Sequence, residues 1–228
     1  NFLKMAQIIP ALIASDKNLY NDFEELKSQF EKLEPFLADF DNWIQIDIMD
    51  GEFVASKTNV NFEELAYFTK LANVEFHLMV ARLKSSIDKW IELKPKRIIF
   101  HIESAEVEDI KIIIEKCRQA QIEVGLALNP ETPSLSIKPW LPYIDTVVVM
   151  GVHPGWSGQS LIPEIITKIK LLHFNHPNIR IEIDGGVKND NINDLKSAGV
   201  DIFVIGSRIL KSLDVGEAIK ELKKLISE

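Results

Sequence analysis

Two aspartates stand where short apolar runs end. Asp47 lies in Gln45-Ile46-Asp47-Ile48-Met49-Asp50-Gly51, and Asp184 opens Asp184-Gly185-Gly186. Two carboxylates on opposite faces of a small substrate can serve as acid and base in one reaction. His77, in Phe76-His77-Leu78-Met79, adds an imidazole. Together Asp47, His77 and Asp184 offer ligand types suited to a zinc-like or manganese-like ion. Each also has a plainer use. A strand-end aspartate can cap a helix or accept loop hydrogen bonds, and a lone histidine can sit satisfied in a core. Glycines gather after three late runs, in residues 151–159, 184–186 and 206–208. A backbone without Cβ can approach an anion closely and present N–H groups to it. The three clusters therefore point to a phosphate site, the alternative being tight turns before helices. Met49, Met79 and Met150 occupy the same run ends, either as gap-filling core residues or as a soft apolar collar around a reacting centre.

The elements that must position these residues alternate along the chain. Short apolar runs cover residues 8–12, 43–48, 74–79, 97–102, 123–128, 146–150, 180–183 and 202–205. Most are rich in Ile, Val and Leu, as expected of parallel strands buried on both faces. Segments with apolar spacings of three and four, predicted helical, cover 19–33, 61–71, 83–93, 107–117, 161–172, 191–198 and 215–226. The segment 134–141 contains Pro139 and predicts only a poor helix. Strand then helix, repeated eight times, predicts an α/β fold, a single-domain (β/α)8 TIM barrel over residues 1–228. A doubly wound open sheet is the alternative. In such a barrel the chemistry lies at the carboxyl ends of the strands. Three of the five histidines and seven of the ten glycines fall there.

Composition narrows the function. The chain has 228 residues, 46% hydrophobic and 26% charged, with a net charge of −8. An acidic chain lacks the electrostatic footprint of a nucleic-acid binder, and the acid excess serves solubility. No apolar run reaches membrane-spanning length and no signal-peptide pattern is present, so neither a nucleic-acid nor a membrane partner is expected. One cysteine, Cys117, permits no intrachain disulfide and suits a reducing cytoplasm.

The strings Ile9-Pro10-Ala11-Leu12, Asp47-Ile48-Met49-Asp50-Gly51-Glu52-Phe53-Val54, His77-Leu78-Met79-Val80, Leu128-Asn129-Pro130-Glu131-Thr132-Pro133, His153-Pro154-Gly155-Trp156-Ser157-Gly158-Gln159 and Asp184-Gly185-Gly186-Val187 resemble the ribulose-phosphate 3-epimerase family. They run in the family's order over essentially the whole chain. The resemblance implies interconversion of D-ribulose 5-phosphate and D-xylulose 5-phosphate in the pentose phosphate pathway, by a homo-oligomer. It implies Asp47 and Asp184 as the proton-transfer residues. It also implies a divalent ion (Zn, Mn, Fe or Co) on Asp47, His77, Asp184 and position 45. His77, Gly155, Trp156, Ser157, Gly158, Gly185, Gly186, Gly206 and Ser207 would bind substrate. The methionines match the family's collar.

The chain departs from the family's pattern at several positions. Gln45 stands where the family has a metal-binding histidine, and Ala11 where it has a serine that contacts substrate. Smaller departures are Glu52 for histidine, Ala55-Ser56 for Pro-Asn, and Ser157 for glycine. An amide oxygen is a harder, weaker ligand than imidazole. Gln45 could therefore lower metal affinity, shift the ion preference, or donate to a substrate oxyanion in a metal-free site. Alternatives to the pentulose-phosphate epimerase are an epimerase for another ketose phosphate, such as allulose 6-phosphate, with altered metal use, and a sugar-phosphate-binding homologue without turnover. Arg208 stands where the family has a small residue. It either adds charge to the phosphate site or pairs with a surface acid.

Overall fold

Runs rich in Ile, Val and Leu must be flanked by strands and have their apolar faces covered by helices. In the computed structural model, which describes residues 6–14, 22–156 and 158–227, they do so as eight strands. These are β1 (Gln7–Leu12), β2 (Trp43–Met49), β3 (Asn73–Met79), β4 (Arg97–His101), β5 (Glu123–Leu128), β6 (Thr146–Met150), β7 (Arg180–Asp184) and β8 (Ile202–Ile205). All neighbours are parallel, in sequence order around the ring. The ring closes where Gln7, Ile8, Ile9 and Pro10 of β1 pair with Ile202, Phe203, Val204 and Ile205 of β8. That closure excludes the doubly wound open sheet.

Helices α1 (Phe23–Leu33), α2 (Phe62–Thr69), α3 (Ile87–Glu92), α4 (Val107–Gln119), α5 (Glu164–Asn175), α6 (Ile192–Ala198), α7 (Ser207–Leu210) and α8 (Val215–Ser227) complete the barrel. The segment after β5 is only two 3-10 turns, Ser134–Ile137 and Leu141–Tyr143, in keeping with Pro139. The predicted helix over 83–93 divides into a 3-10 turn, Leu83–Ser85, and α3. Arg82 before the turn takes a left-handed backbone, φ 53°, and serines at 85 and 86 bond back to the chain at Arg82 and Leu83 instead of continuing a helix. Helix α5 starts three residues later than predicted, because Pro163 sets its first turn. The predicted helix over 19–33 is observed from Phe23, its earliest residues lying outside those described. Helix α2 is capped reciprocally: Asn61 accepts from the Glu64 backbone and Glu64 from that of Asn61.

Side-chain alternation separates two interiors. Ile44, Ile46, Ile48, Val74, Phe76 and Leu78 face outward, in the large apolar core between strands and helices. Ile99, Ala127, Val148 and Met150 form a small apolar cluster inside the ring. Much of the remaining ring interior is polar, including Gln45, Glu75, His77, Arg97, His101 and Glu182, all fully buried. No described helix is long and apolar enough to cross a membrane.

Candidate active site

Period-two alternation along β2 sends Gln45, Asp47 and Met49 to one side, and parallel register sets Asp47 beside His77 and Met49 beside Met79. On β7 the same alternation carries Glu182 and Asp184 inward, with Asp184 beside Met150. Strands β2 and β7 lie three steps apart round the ring by way of β1 and β8. Even so, ligand atoms of Asp47, His77 and Asp184 all fall within 4.8 Å of one another. Gln45 sits directly beneath. Its Nε2 donates to Asp47 Oδ1 at 2.7 Å and to Asp184 Oδ2 at 2.9 Å.

His77 Nδ1 is 2.9 Å from Asp184 Oδ2 and 3.4 Å from Asp47 Oδ1. Neither oxygen lies where a well-formed hydrogen bond from the ring nitrogen would need it, so Nδ1 is close to two charges but formally unbonded. Burial alone would push the His77 pKa down. The nearby carboxylates of Asp184 and Asp47 outweigh it and raise the imidazolium to about 10. The Asp47 carboxyl is raised above its ordinary range, first by burial and then by the charge of Asp184, against the pull of His77 and Gln45. Two carboxylates and a buried imidazole nitrogen without a hydrogen bond form a donor set fitting a divalent cation.

Above this cluster opens a cavity of about 540 Å³, lined by Asp47, His77, Asp184, Met49, Met79 and Met150. The methionines thus border the cavity while almost wholly buried. Gly155, Trp156, Gly158, Gly185, Gly186, Gly206 and Ser207 line its far side. Ser157 lies outside the described residues. Gly185 and Gly186 have φ of +94° and +75°. A Cβ at Gly186 would sit 2.6 Å from the Leu161 backbone nitrogen, so both conformation and space require glycine. Trp156 is 57% exposed at the mouth.

The departures from the family's strings take definite places. Ala11 lines the cavity without a hydroxyl. Glu52 pairs with Arg82 on the exposed rim. Ser56 Oγ donates to the Gly155 carbonyl at 2.7 Å, tying the loop after β2 to the loop after β6. Arg208 lies at the cavity wall, and its guanidinium is engaged by Asn189 at 3.0 Å and Glu221 at 2.6 Å. The pairing with a surface acid is the version present. Two cations not singled out from the sequence, Lys188 and Lys211, also line the cavity beside the glycines. Their positions just after Gly185-Gly186 and Gly206-Ser207 were the available signal.

Sequence reasoning also passed over the support under the site. His101 Nε2 is 2.9 Å from His77 Nε2. Lower in the ring, Arg97 binds Glu75 at 2.6 Å and Glu182 at 3.1 Å, all three fully buried. It also reaches the part-exposed Glu123 at 2.8 Å and packs over the Trp43 ring at 4.6 Å.

A profile of the ribulose-phosphate 3 epimerase family matches residues 14–210. The ribulose-phosphate 3-epimerase of Schizosaccharomyces pombe is 29% identical over 225 residues, covering 97% of this chain and 94% of its own. The cytoplasmic isoform of rice, Oryza sativa subsp. japonica, is 30% identical with the same coverages. The enzyme of Aquifex aeolicus is 33% identical over 189 residues, covering 80% of this chain and 84% of its own. Among solved structures, KGPDC from Streptococcus mutans superposes with a TM-score of 0.72 at 14% identity, over 98% of each chain, a likeness of fold. With the profile spanning most of the barrel, the chain belongs to the ribulose-phosphate 3-epimerase family.

Proposed function

We propose that the protein is a ribulose-phosphate 3-epimerase that interconverts D-ribulose 5-phosphate and D-xylulose 5-phosphate by proton transfer at C3. One observation carries the proposal: Asp47 and Asp184, from different sides of the ring, reach within 4.8 Å of each other at the floor of a sugar-sized cavity. Inversion needs two groups, because one fixed carboxylate reaches one face of C3 only. Asp184 takes the proton from one face. Asp47, whose carboxyl burial holds above the ordinary range, returns one to the other face. In the reverse direction the roles exchange. The glycine backbone at 155, 158, 185, 186 and 206, with Trp156 and Ser207, receives the phosphate end, and Lys188 and Lys211 add positive charge there. The family likeness adds Ser157 to this group. Held at that end, the sugar presents C3 between the aspartates. The three methionines keep water from the reacting carbon.

Asp47, His77 and Asp184 would hold a divalent ion (Zn, Mn, Fe or Co), with the Gln45 amide beneath them. When bound, such an ion stabilises negative charge on the substrate oxygens as a Lewis acid. Gln45 favours weaker metal retention than an imidazole would give, because its Nε2 now serves both carboxylates. Its oxygen faces the site only if the amide turns over. We propose further that the chain acts as one barrel domain over residues 1–228, in the cytoplasm and as a homo-oligomer, as its family likeness supports. The direct test is conversion of D-ribulose 5-phosphate before and after chelation and readdition of each ion. Turnover lost on chelation supports the metal-dependent epimerase, and chelator-resistant turnover supports the altered metal use that Gln45 suggests. Binding of pentulose and hexulose phosphates without turnover overturns the proposal.

A further inference from the structure

His77 Nε2 and His101 Nε2 lie 2.9 Å apart, both rings fully buried and within 13° of parallel. Two N–H groups cannot face each other at that distance, so one nitrogen must be bare. The environment of His101 Nδ1 decides which. That nitrogen has no formed hydrogen bond, and it faces Glu103 Oε2 at 3.4 Å. Glu103 Oε1 already accepts from the Asn129 backbone at 2.8 Å and from the Thr132 hydroxyl, as an ionised carboxylate does. Were His101 to donate from Nε2, a neutral ring would aim its Nδ1 lone pair at this carboxylate, acceptor against acceptor. With the proton on His101 Nδ1 the contact becomes favourable, and His101 Nε2 is left as acceptor for His77.

We propose that His101 and Glu103 are a positioning pair that fixes the proton of His77 on Nε2, leaving Nδ1 as the nitrogen presented to Asp47 and Asp184. Partners of this kind orient a ligating imidazole and raise its basicity. The pair deepens the epimerase proposal, since it prepares His77 to meet a cation between the aspartates, yet it concerns proton placement and can be tested without turnover. The polarity is the same whether His77 Nδ1 carries a proton or a metal, so the support needs no rearrangement when an ion arrives.

The experiment is long-range ¹H–¹⁵N correlation on histidine-labelled, metal-free protein, followed by titration with Co²⁺. The expected result is His101 protonated on Nδ1 and bare on Nε2. In Glu103→Gln the carboxamide can donate as well as accept, so His101 becomes a tautomer mixture and Co²⁺ affinity falls about tenfold. In His101→Leu affinity falls about 10- to 100-fold. His101→Gln, whose amide oxygen can accept from His77 Nε2, recovers most of that loss. A wild-type His101 protonated on Nε2 overturns the inference even if every variant misfolds. So does a folded His101→Leu protein that binds Co²⁺ as tightly as wild type. Wild-type protein that turns over substrate but fails the tautomer arm defeats the positioning pair alone. Protein that passes the tautomer arm but has no turnover defeats the epimerase proposal alone.

Discussion

Replacing Arg97 with Met should produce an instability that depends on pH. Arg97 is the cation for Glu75 and Glu182, and none of the three touches solvent. Burial pushes both carboxyls up, Glu75 well above its usual value and Glu182 to about 7, while Arg97 pulls against the rise. A carboxyl whose folded pKa is raised contributes stability that is complete below the unfolded value and is lost as pH climbs through the folded one. For Glu182 the wild-type loss therefore runs from the ordinary glutamate range to about pH 7 and then stops. In Arg97→Met the folded pKa moves higher, and the loss continues at about 1.4 kcal/mol per pH unit. Two units above the wild-type midpoint, the variant should be weaker by about 2.7 kcal/mol from this cause alone. Lost packing over Trp43 adds about 1 kcal/mol at every pH. In mildly acid solution both glutamates are largely neutral, and the gap should shrink to about this packing loss, because a buried cation is then exchanged for an apolar chain. Urea unfolding followed by circular dichroism from about pH 5.5 to pH 9 reads the difference, and adding Glu182→Gln should flatten it. A wild-type-to-variant gap that stays constant over this range would refute the reasoning.

Asp47→Asn and Asp184→Asn should each lower kcat by about 10²- to 10⁴-fold with little change in substrate binding. Isothermal titration with ribulose 5-phosphate beside the turnover assay separates the two effects, and a mild kcat loss in either variant contradicts a two-base mechanism. Gln45→His restores an imidazole under the aspartates and should tighten Co²⁺ by about tenfold or more; equal affinities would show that Gln45 is not what weakens the site. Because the His77 imidazolium is held up to about 10, a cation must displace its proton. Apparent Co²⁺ affinity should then rise about tenfold per pH unit from about pH 6 to pH 9, and a flat profile excludes that competition. Ser56→Ala removes the tie to Gly155, about 1 kcal/mol of hydrogen bonding. It should raise KM up to about fivefold with kcat nearly unchanged, as steady-state kinetics will show.

Strands β6 and β8 begin and end where their β-branched runs do. Nothing in such a run competes with extended backbone, so its limits can be read directly. Helix α7 has four residues, too few for a periodicity, and went unanticipated. The break at residue 86 depends on backbone conformation at Arg82 that composition does not reveal. In the site, residue type and strand-end position marked Asp47, His77 and Asp184, but their convergence depends on register and ring closure. The charged layer was hidden for another reason. In Val74-Glu75-Phe76 the alternation resembles a surface strand with the glutamate turned to water. In a closed ring the apolar members face the helices, and the glutamate points to the centre, where Arg97 meets it.

The two aspartates also belong to different halves of the barrel. A division after α4 would leave Asp47, His77 and His101 on one fragment. Asp184 and the glycines that line the cavity would fall on the other. Under the proposed two-base mechanism neither piece would own a complete proton path, so turnover from a mixture of fragments would report their reassembly into one ring. For a chain of this topology, catalysis doubles as a gauge of whether the circle is whole.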